Sequence, residues 1–479
     1  MIGFNLGMAG CHRPRGGAPA PAPADPYLPA LSAQPLGIFA VRAISGGYSG
    51  PLMRVRRVSD DAEMDLFATT GSAQPDWAAL QDWAGASDIS VTTLYDQSGN
   101  GNHAVQDIAG RQPMLVSAKA RGGIQPITHN GSQWLSLPSG LSGNGRDVTA
   151  IAVQNRMSIG SAGGQNQAQW MLGAAWNTAG SLSFLSTIPQ GLRLLTSSTF
   201  KDTGKLSRSQ PEVIAVSSGS SEMAMYRDGL VSTHGLNNSG TFVGGLIGRG
   251  GASYNWWGDT FFHAVYDAAL DDEELAGIRA ALIPAFGIIP LEDTSLPLLI
   301  SPGNSIVQGT GASYGQNNLW FTEELLTAPI HIVNCAVFGQ TAATAYNSRS
   351  VYMNQFDADR PTCIMVVPEP TNDISSGATG VDCWNNYVKP FIDEAVAAGF
   401  KVLVPTIIKR SGFDSTQNGY KTDFNNLARA YCDEADIFLV DYAADDAALT
   451  LPDGTHPNST SYAIMAGRQA AAVTAALAA

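Results

Sequence analysis

Cysteine is scarce and scattered in this chain. The five residues Cys11, Cys335, Cys363, Cys383 and Cys432 are odd in number and include no CxxC pair. That argues against a disulfide framework and against a thiolate zinc site. No His, Cys and carboxylate cluster has metal-ligand spacing either, so no metal and no cofactor is expected. Reduced thiols fit synthesis in the cytoplasm. Charge is also sparse, at 14% of residues, and 27 Lys and Arg against 41 Asp and Glu leave a net charge of −14. No nucleic-acid partner is expected from that balance. Residues 293–479 hold 9 of the basic and 19 of the acidic residues, so most of the excess, −10, sits there. Plain solubility accounts for it. No apolar run approaches the roughly 18 residues of a membrane-spanning helix, so no membrane span is expected. The opening stretch Met1–Gly10 lacks a basic start and a continuous apolar run, and no signal peptide is recognised in it.

What is present is organised in three parts. At 479 residues with 44% hydrophobic content, two or three domains are expected. Residues 1–30 end in alternating Ala-Pro from Ala18 to Ala24, which is stiff, extended and unable to bury a core, so they read as an N-terminal arm. Residues 31–290 read as all-β. Short alternating runs such as Leu36–Ile44, Ser90–Tyr95, Val148–Val153, Glu212–Ser217, Ala224–Arg227 and Thr260–Tyr266 recur between Gly, Asn and Ser turns. That spacing predicts a sandwich of two antiparallel sheets. Around residues 286–297 Pro, Asp and Thr break the pattern, and residues 291–479 change character. Five apolar strands are expected at Leu298–Ser301, Ile330–Asn334, Cys363–Val367, Lys401–Thr406 and Ile437–Asp441. Helical stretches at Val381–Ala398, Gln417–Glu434 and Ser459–Ala478 lie between or after them. Strands alternating with helices predict a five-stranded parallel sheet in a flavodoxin-like α/β/α three-layer sandwich.

Sites in such sheets lie at the carboxyl ends of the strands. Ser305 follows the first strand in Pro302-Gly303-Asn304-Ser305. Gly339 follows the second, in Asn334 to Thr341. Asn372 follows the third, in Pro368-Glu369-Pro370-Thr371-Asn372-Asp373. Asp453 and His456 follow the last, just before the final helix. Ester hydrolysis needs an activated hydroxyl, a base, a group that orients the base, and donors for the oxyanion. Ser305 is the candidate nucleophile, His456 the general base and Asp453 its orienting acid. The N–H groups of Ser305 and Gly339 and the Asn372 amide are the candidate oxyanion donors. His456 is the only histidine after His331.

These four ordered blocks resemble the SGNH (GDSL-type) hydrolase family over about residues 297–479. Two departures stand out: Gly303-Asn304-Ser305 where the family usually has Gly-Asp-Ser, and Pro370 where Gly is usual before x-Asn-Asp. Tyr48–Arg57 and Leu94–His103 resemble the catalytic domain of the arabinofuranosidase B family. Trp257–Tyr266 with Met225–Gly229 resembles laminin-G-like, concanavalin-type jelly rolls. That resemblance covers residues 35–285. Retaining glycosidases need two carboxyl groups about 5–5.5 Å apart. The family's nucleophilic Glu follows a vicinal Cys pair, and residues 31–290 hold no Cys. Asp96 and Asp259 are expected to be turn residues instead. The domain therefore reads as a carbohydrate-binding or structural jelly roll, in which Trp134, Tyr254, Trp256 and Trp257 are available to stack on sugars or to fill the core.

The resulting expectation is a serine esterase that removes acyl groups, chiefly O-acetyl, from a polysaccharide or other acylated glycan. Its alternatives are a receptor-binding virion protein with a catalytically silent SGNH fold and an arabinofuranosidase. The apolar-tipped arm 1–30 suits anchoring to virion tail proteins, as in a phage tail fibre acting outside the cell on host surface glycan. Secretion by a non-classical route is the other localisation consistent with the start of the chain, and a homo-oligomer is allowed.

Overall fold

The computed structural model describes residues 28–479, apart from 30, 122, 146, 157–165, 174–181, 188–190, 197–198, 203–209, 220–222, 228–229, 235–239, 251–253 and 433–436. The expected arm lies outside the described residues except for its end, where the Leu28 N–H already bonds the Ile44 carbonyl at 3.0 Å.

Alternation and β-branching decide the first half. Val148–Arg156, buried at every residue, pairs antiparallel with Glu212–Ser218 on one side and Trp257–Tyr266 on the other. Trp257–Tyr266 also pairs with Pro35–Ala40 and Ile127–Asn130. Hydrogen bonding runs without a break through eighteen strands, so the two separate sheets expected are one curled antiparallel network. The register shifts between Val243 and Gly245 and between Thr260 and Phe262, irregularities of the kind that let strands bend.

The all-β reading of this half missed the α-helices Trp77–Ala84 and Asp272–Phe286. The second begins at a capping box: the Asp271 side chain takes the Glu274 N–H and the Glu274 side chain takes that of Asp271. It ends on Gly287, whose φ of 60° closes the last turn in the left-handed region. Leu275, Ile278, Leu282 and Phe286 form its buried stripe, at about 1.5–3 kcal/mol for each large side chain removed from water. Phe286 meets the rings of Phe261 and Phe262.

The second half is a five-stranded parallel sheet of Leu298–Ser301, His331–Asn334, Cys363–Val366, Lys401–Pro405 and Ile437–Val440. The second strand is at one edge, then come the first, third, fourth and fifth. Alternate residues of each strand enter different cores: Leu298, Ile300, Met365 and Val402 on one face, Leu299, Ile364, Val366 and Leu403 on the other. A sheet buried on both faces explains why its strands read as apolar runs rather than alternating patterns. Helices Trp384–Val388, Lys389–Ala397 and Ser415–Tyr431 cover the first face, and Asn318–Leu325 and Ser459–Ala478 the second.

The two halves meet at the edge strand. Gln210 lies before strand Glu212–Ser218 and is 3% exposed. Its carboxamide accepts the Ile332 N–H at 3.0 Å and donates to the Ile330 carbonyl at 2.9 Å, as a neighbouring strand would. The same amide donates to Glu323 at 2.8 Å, and Arg121 bonds Glu323 at 2.7 Å. Arg360 fastens the connecting segment through the carbonyls of Leu291, Asp293 and Leu296.

Candidate active site

The first strand ends in a turn too tight for a side chain at Gly303, where a Cβ would meet Val307. Asn304 then caps a four-residue helix, Ser305–Gln308, its Oδ1 accepting the Ile306 N–H at 2.9 Å. Ser305 is the first residue of that helix and is 6% exposed. From 151 residues away His456 brings Nε2 to 2.8 Å from Ser305 Oγ. Its Nδ1 lies 2.7 Å from Asp453 Oδ2. The Asp453 Oδ1 takes the backbone N–H of Thr455 at 2.9 Å and of His456 at 2.7 Å, so the acid and the base are fixed to one turn. Burial pushes the Asp453 carboxyl up, but the His456 ring and these two N–H groups outweigh it and hold the pKa at about 2. Asp453 is therefore a carboxylate over the whole physiological range. Chemically, this is an ordered path from a hydroxyl to a base whose other ring nitrogen faces a permanent anion.

Asn372 and Gly339 sit on neighbouring loops. The Asn372 amide gives one hydrogen to the Gln340 carbonyl at 2.9 Å, which fixes its orientation. The adjacent Asp373 takes the Ala342 N–H at 2.7 Å and the Ala343 N–H at 3.3 Å, joining the loop after the third strand to the helix after the second. Gly339 has φ of 73° and open space where a Cβ would stand. Its requirement is the left-handed backbone rather than a close approach of other atoms. Beside it Phe338, 37% exposed, lies alongside the His456 ring at 6.4 Å between centroids.

Three supporting residues escaped the sequence reading. Gly311, with φ of 88°, lets its loop pass under the histidine turn, where a Cβ would meet the Pro457 carbonyl at 2.6 Å. Tyr462 holds the same loop, its hydroxyl donating to the Thr310 carbonyl at 2.8 Å. Buried Glu369 takes donors from both Asn304 and Thr371. The Gly309-Thr310-Gly311 phrase was a usable signal for the first; nothing local marks the other two.

In the first half the two carboxylates weighed for glycoside chemistry, Asp96 and Asp259, are already occupied. Asp96 behaves as the expected turn residue, its carboxylate accepting the N–H groups of Ile38, Ser98 and Asn102. Asp259 does not: it lies within strand Trp257–Tyr266, 1% exposed, in a buried ion pair with Lys119 and a hydrogen bond to Thr128. A charge in the middle of a strand is tolerated there because its partner is buried with it. Of the aromatic residues weighed for sugar stacking, Trp256 is fully buried and fills the core. Trp134 lies under the guanidinium groups of Arg111 and Arg249, at 4.8 and 4.2 Å, which occupy its ring. Trp257 packs over Gly131, where a Cβ would collide with its indole. The Tyr254 side chain lies outside the described residues.

The two parts of the chain are similar to different known proteins. Residues 303–464 match the family "GDSL-like Lipase/Acylhydrolase", and residues 31–156 match "Alpha-L-arabinofuranosidase B, catalytic". Probable alpha-L-arabinofuranosidase B of Aspergillus clavatus is 31% identical over 140 residues, 28% of each chain. The Aspergillus fumigatus protein of the same description is 31% identical over 117 residues, 23% of each. The chain thus spans under a third of the length of these curated relatives. Among solved structures, an arabinofuranosidase bound to arabinofuranosyl-alpha-1,2-xylobiose aligns with 53% of this chain and 63% of its own at 16% identity, TM-score 0.43. A G-D-S-L family lipolytic protein of Veillonella parvula aligns with 37% of this chain and 98% of its own at 18% identity, TM-score 0.32. The chain joins an arabinofuranosidase B-like domain at its N-terminus to a GDSL/SGNH hydrolase domain at its C-terminus.

Proposed function

We propose that this protein is a serine esterase that removes acyl groups, chiefly O-acetyl, from a polysaccharide. The observation that carries the reading is the unbroken path Asp453–His456–Ser305, with contacts of 2.7 and 2.8 Å. Ser305 gives its hydroxyl proton to His456 Nε2 as Oγ attacks the acyl carbonyl carbon. The carbonyl oxygen becomes an oxyanion facing the N–H groups of Ser305 and Gly339 and the second hydrogen of the Asn372 amide. Collapse breaks the bond to the sugar oxygen, which leaves with the proton from Nε2. Water then repeats the sequence on the acyl-enzyme, releasing the carboxylic acid and restoring Ser305. Asp453 keeps the ring in the tautomer that leaves Nε2 free to accept. Phe338 is exposed beside the ring of the base, a suitable wall for a sugar ring.

The polymeric substrate is inferred from the company the domain keeps, since the N-terminal half resembles a domain of glycan-cleaving enzymes. Arabinofuranosidase activity is the second reading, favoured by the match over residues 31–156. It lacks support from chemistry, because Asp96 and Asp259 are both engaged elsewhere. One protein preparation tests both readings. The esterase reading predicts release of p-nitrophenol from the acetate and of acetate from an acetylated xylan. It predicts no release from p-nitrophenyl arabinofuranoside. Turnover of the arabinofuranoside alone would reverse the order of the readings.

A further inference from the structure

We propose that Glu369 is a positioning residue for acyl transfer, locking the nucleophile turn to the loop that carries Asn372. The proposal rests on the esterase reading of the site. Glu369 is 8% exposed, and among the described residues no cation pairs with it. Its Oε1 faces the Asn304 Nδ2, and its Oε2 takes the Thr371 N–H at 2.7 Å and the Thr371 hydroxyl. Asn304 precedes Ser305 and Thr371 precedes Asn372, so one carboxylate sits a single residue from both the nucleophile and an oxyanion donor. Pro368 and Pro370 restrict the backbone on either side of it. Burial holds its pKa above the usual carboxylate range, and the donors from Thr371 and Asn304 offset only part of that rise.

The polarity of this clamp is fixed. Asn304 Oδ1 is committed to the Ile306 N–H at 2.9 Å, so only its NH2 group is left to face Glu369. A carboxylate is required opposite it, and this is the counterpart of the missing acid in Gly303-Asn304-Ser305: the acid stands across the contact, at 369. The pair is reversible on paper. With Asp at 304 and Gln at 369, the new carboxylate still caps Ile306, and its other oxygen accepts from the new amide. That amide's oxygen still takes both Thr371 donors. Every hydrogen bond and the single negative charge survive. Either change alone fails. Asn304→Asp sets two carboxylates against each other, and Glu369→Gln sets NH2 against NH2 or against the Thr371 N–H.

The test compares full-length wild type, Ser305→Ala, Asn304→Asp, Glu369→Gln and the double variant on p-nitrophenyl acetate, with thermal melting of each. Each single change should lower kcat by about 10- to 100-fold with KM within about threefold, and the double should recover to within about fivefold of wild type. Single variants that melt earlier but keep wild-type kcat while folded would make the contact purely structural and overturn the proposal. So would a double variant that is unfolded, or folded and no faster than the slower single. If a single variant does not fold, the double still decides. A wild type no faster than Ser305→Ala removes the esterase reading itself, an outcome distinct from all of these.

Discussion

At the scale of the residue, the proposed mechanism gives the one Asn372 amide two tasks, holding its loop and meeting the oxyanion. One of its hydrogens is spent on the Gln340 carbonyl at 2.9 Å, and the other is free for the oxyanion. Asn372→Ala should lower kcat by about 10²–10³ and leave KM nearly unchanged, because the lost bond exists only when charge develops on the substrate. Steady-state kinetics on a small acetate ester read this directly; a rise in KM at constant kcat would mean that Asn372 binds the ground state. Residues of this kind were legible in the sequence because their chemistry and their position coincide. Ser305 and Asn372 fall a few residues past apolar strands, and Asp453 and His456 on the loop between the last strand and the final helix, all on the carboxyl side of the parallel sheet. Glu369 was not legible. Its role is defined by Asn304, 65 residues away, and a Glu between two prolines looks like an ordinary turn.

Among the elements, the turn at Gly339 depends on one backbone angle. With φ of 73° and no atom near the absent Cβ, Gly339→Ala meets conformational strain of about 1–2 kcal/mol and no steric collision. The turn should relax and carry its N–H away from the oxyanion, lowering kcat at least tenfold with only a small change in melting temperature. Unchanged kcat would exclude this N–H from the reaction. Element boundaries show where local signals suffice. Helix Ser459–Ala478 was expected at its observed limits, having an Asn458 cap and a mostly apolar buried face. The stretch expected as one helix, Val381–Ala398, contains a π-helical turn at Trp384–Val388. Pro390 follows directly, and without an N–H it cannot complete the regular ladder. Helix Asp272–Phe286 announced itself in the Asp271–Glu274 capping box, but Pro284 and the surrounding strands masked its period.

Across the whole molecule, the docking of the two halves had no sequence signature, since Gln210 acts as a surrogate strand for residues 120 positions later. Gln210→Ala should cost about 1–3 kcal/mol by leaving the Ile332 N–H buried and unpaired, read as a lower urea midpoint. An unchanged midpoint would show that the edge strand does not need this cover. The N-terminal half should also be acid-sensitive. Burial lowers the His129 pKa to about 4 and that of His263 to about 3, against about 6.5 in the unfolded chain. Protons therefore favour the unfolded state. The stability is fully present above about pH 6.5 and is lost as pH falls through the folded values. At pH 5 each histidine should cost about 2 kcal/mol relative to pH 7.5, and His263→Leu should flatten the dependence. A melting temperature that is equally pH-dependent in that variant would place the effect elsewhere.

The central claim is that Ser305, activated through His456 and Asp453, performs acyl transfer. The measurement closest to it is acetate release from an acetylated polysaccharide by wild type and by Ser305→Ala, with circular dichroism showing both folded. The account predicts turnover by the wild type and a loss of about 10⁴-fold or more in the variant. A folded Ser305→Ala protein that keeps even a few per cent of the wild-type rate would contradict it.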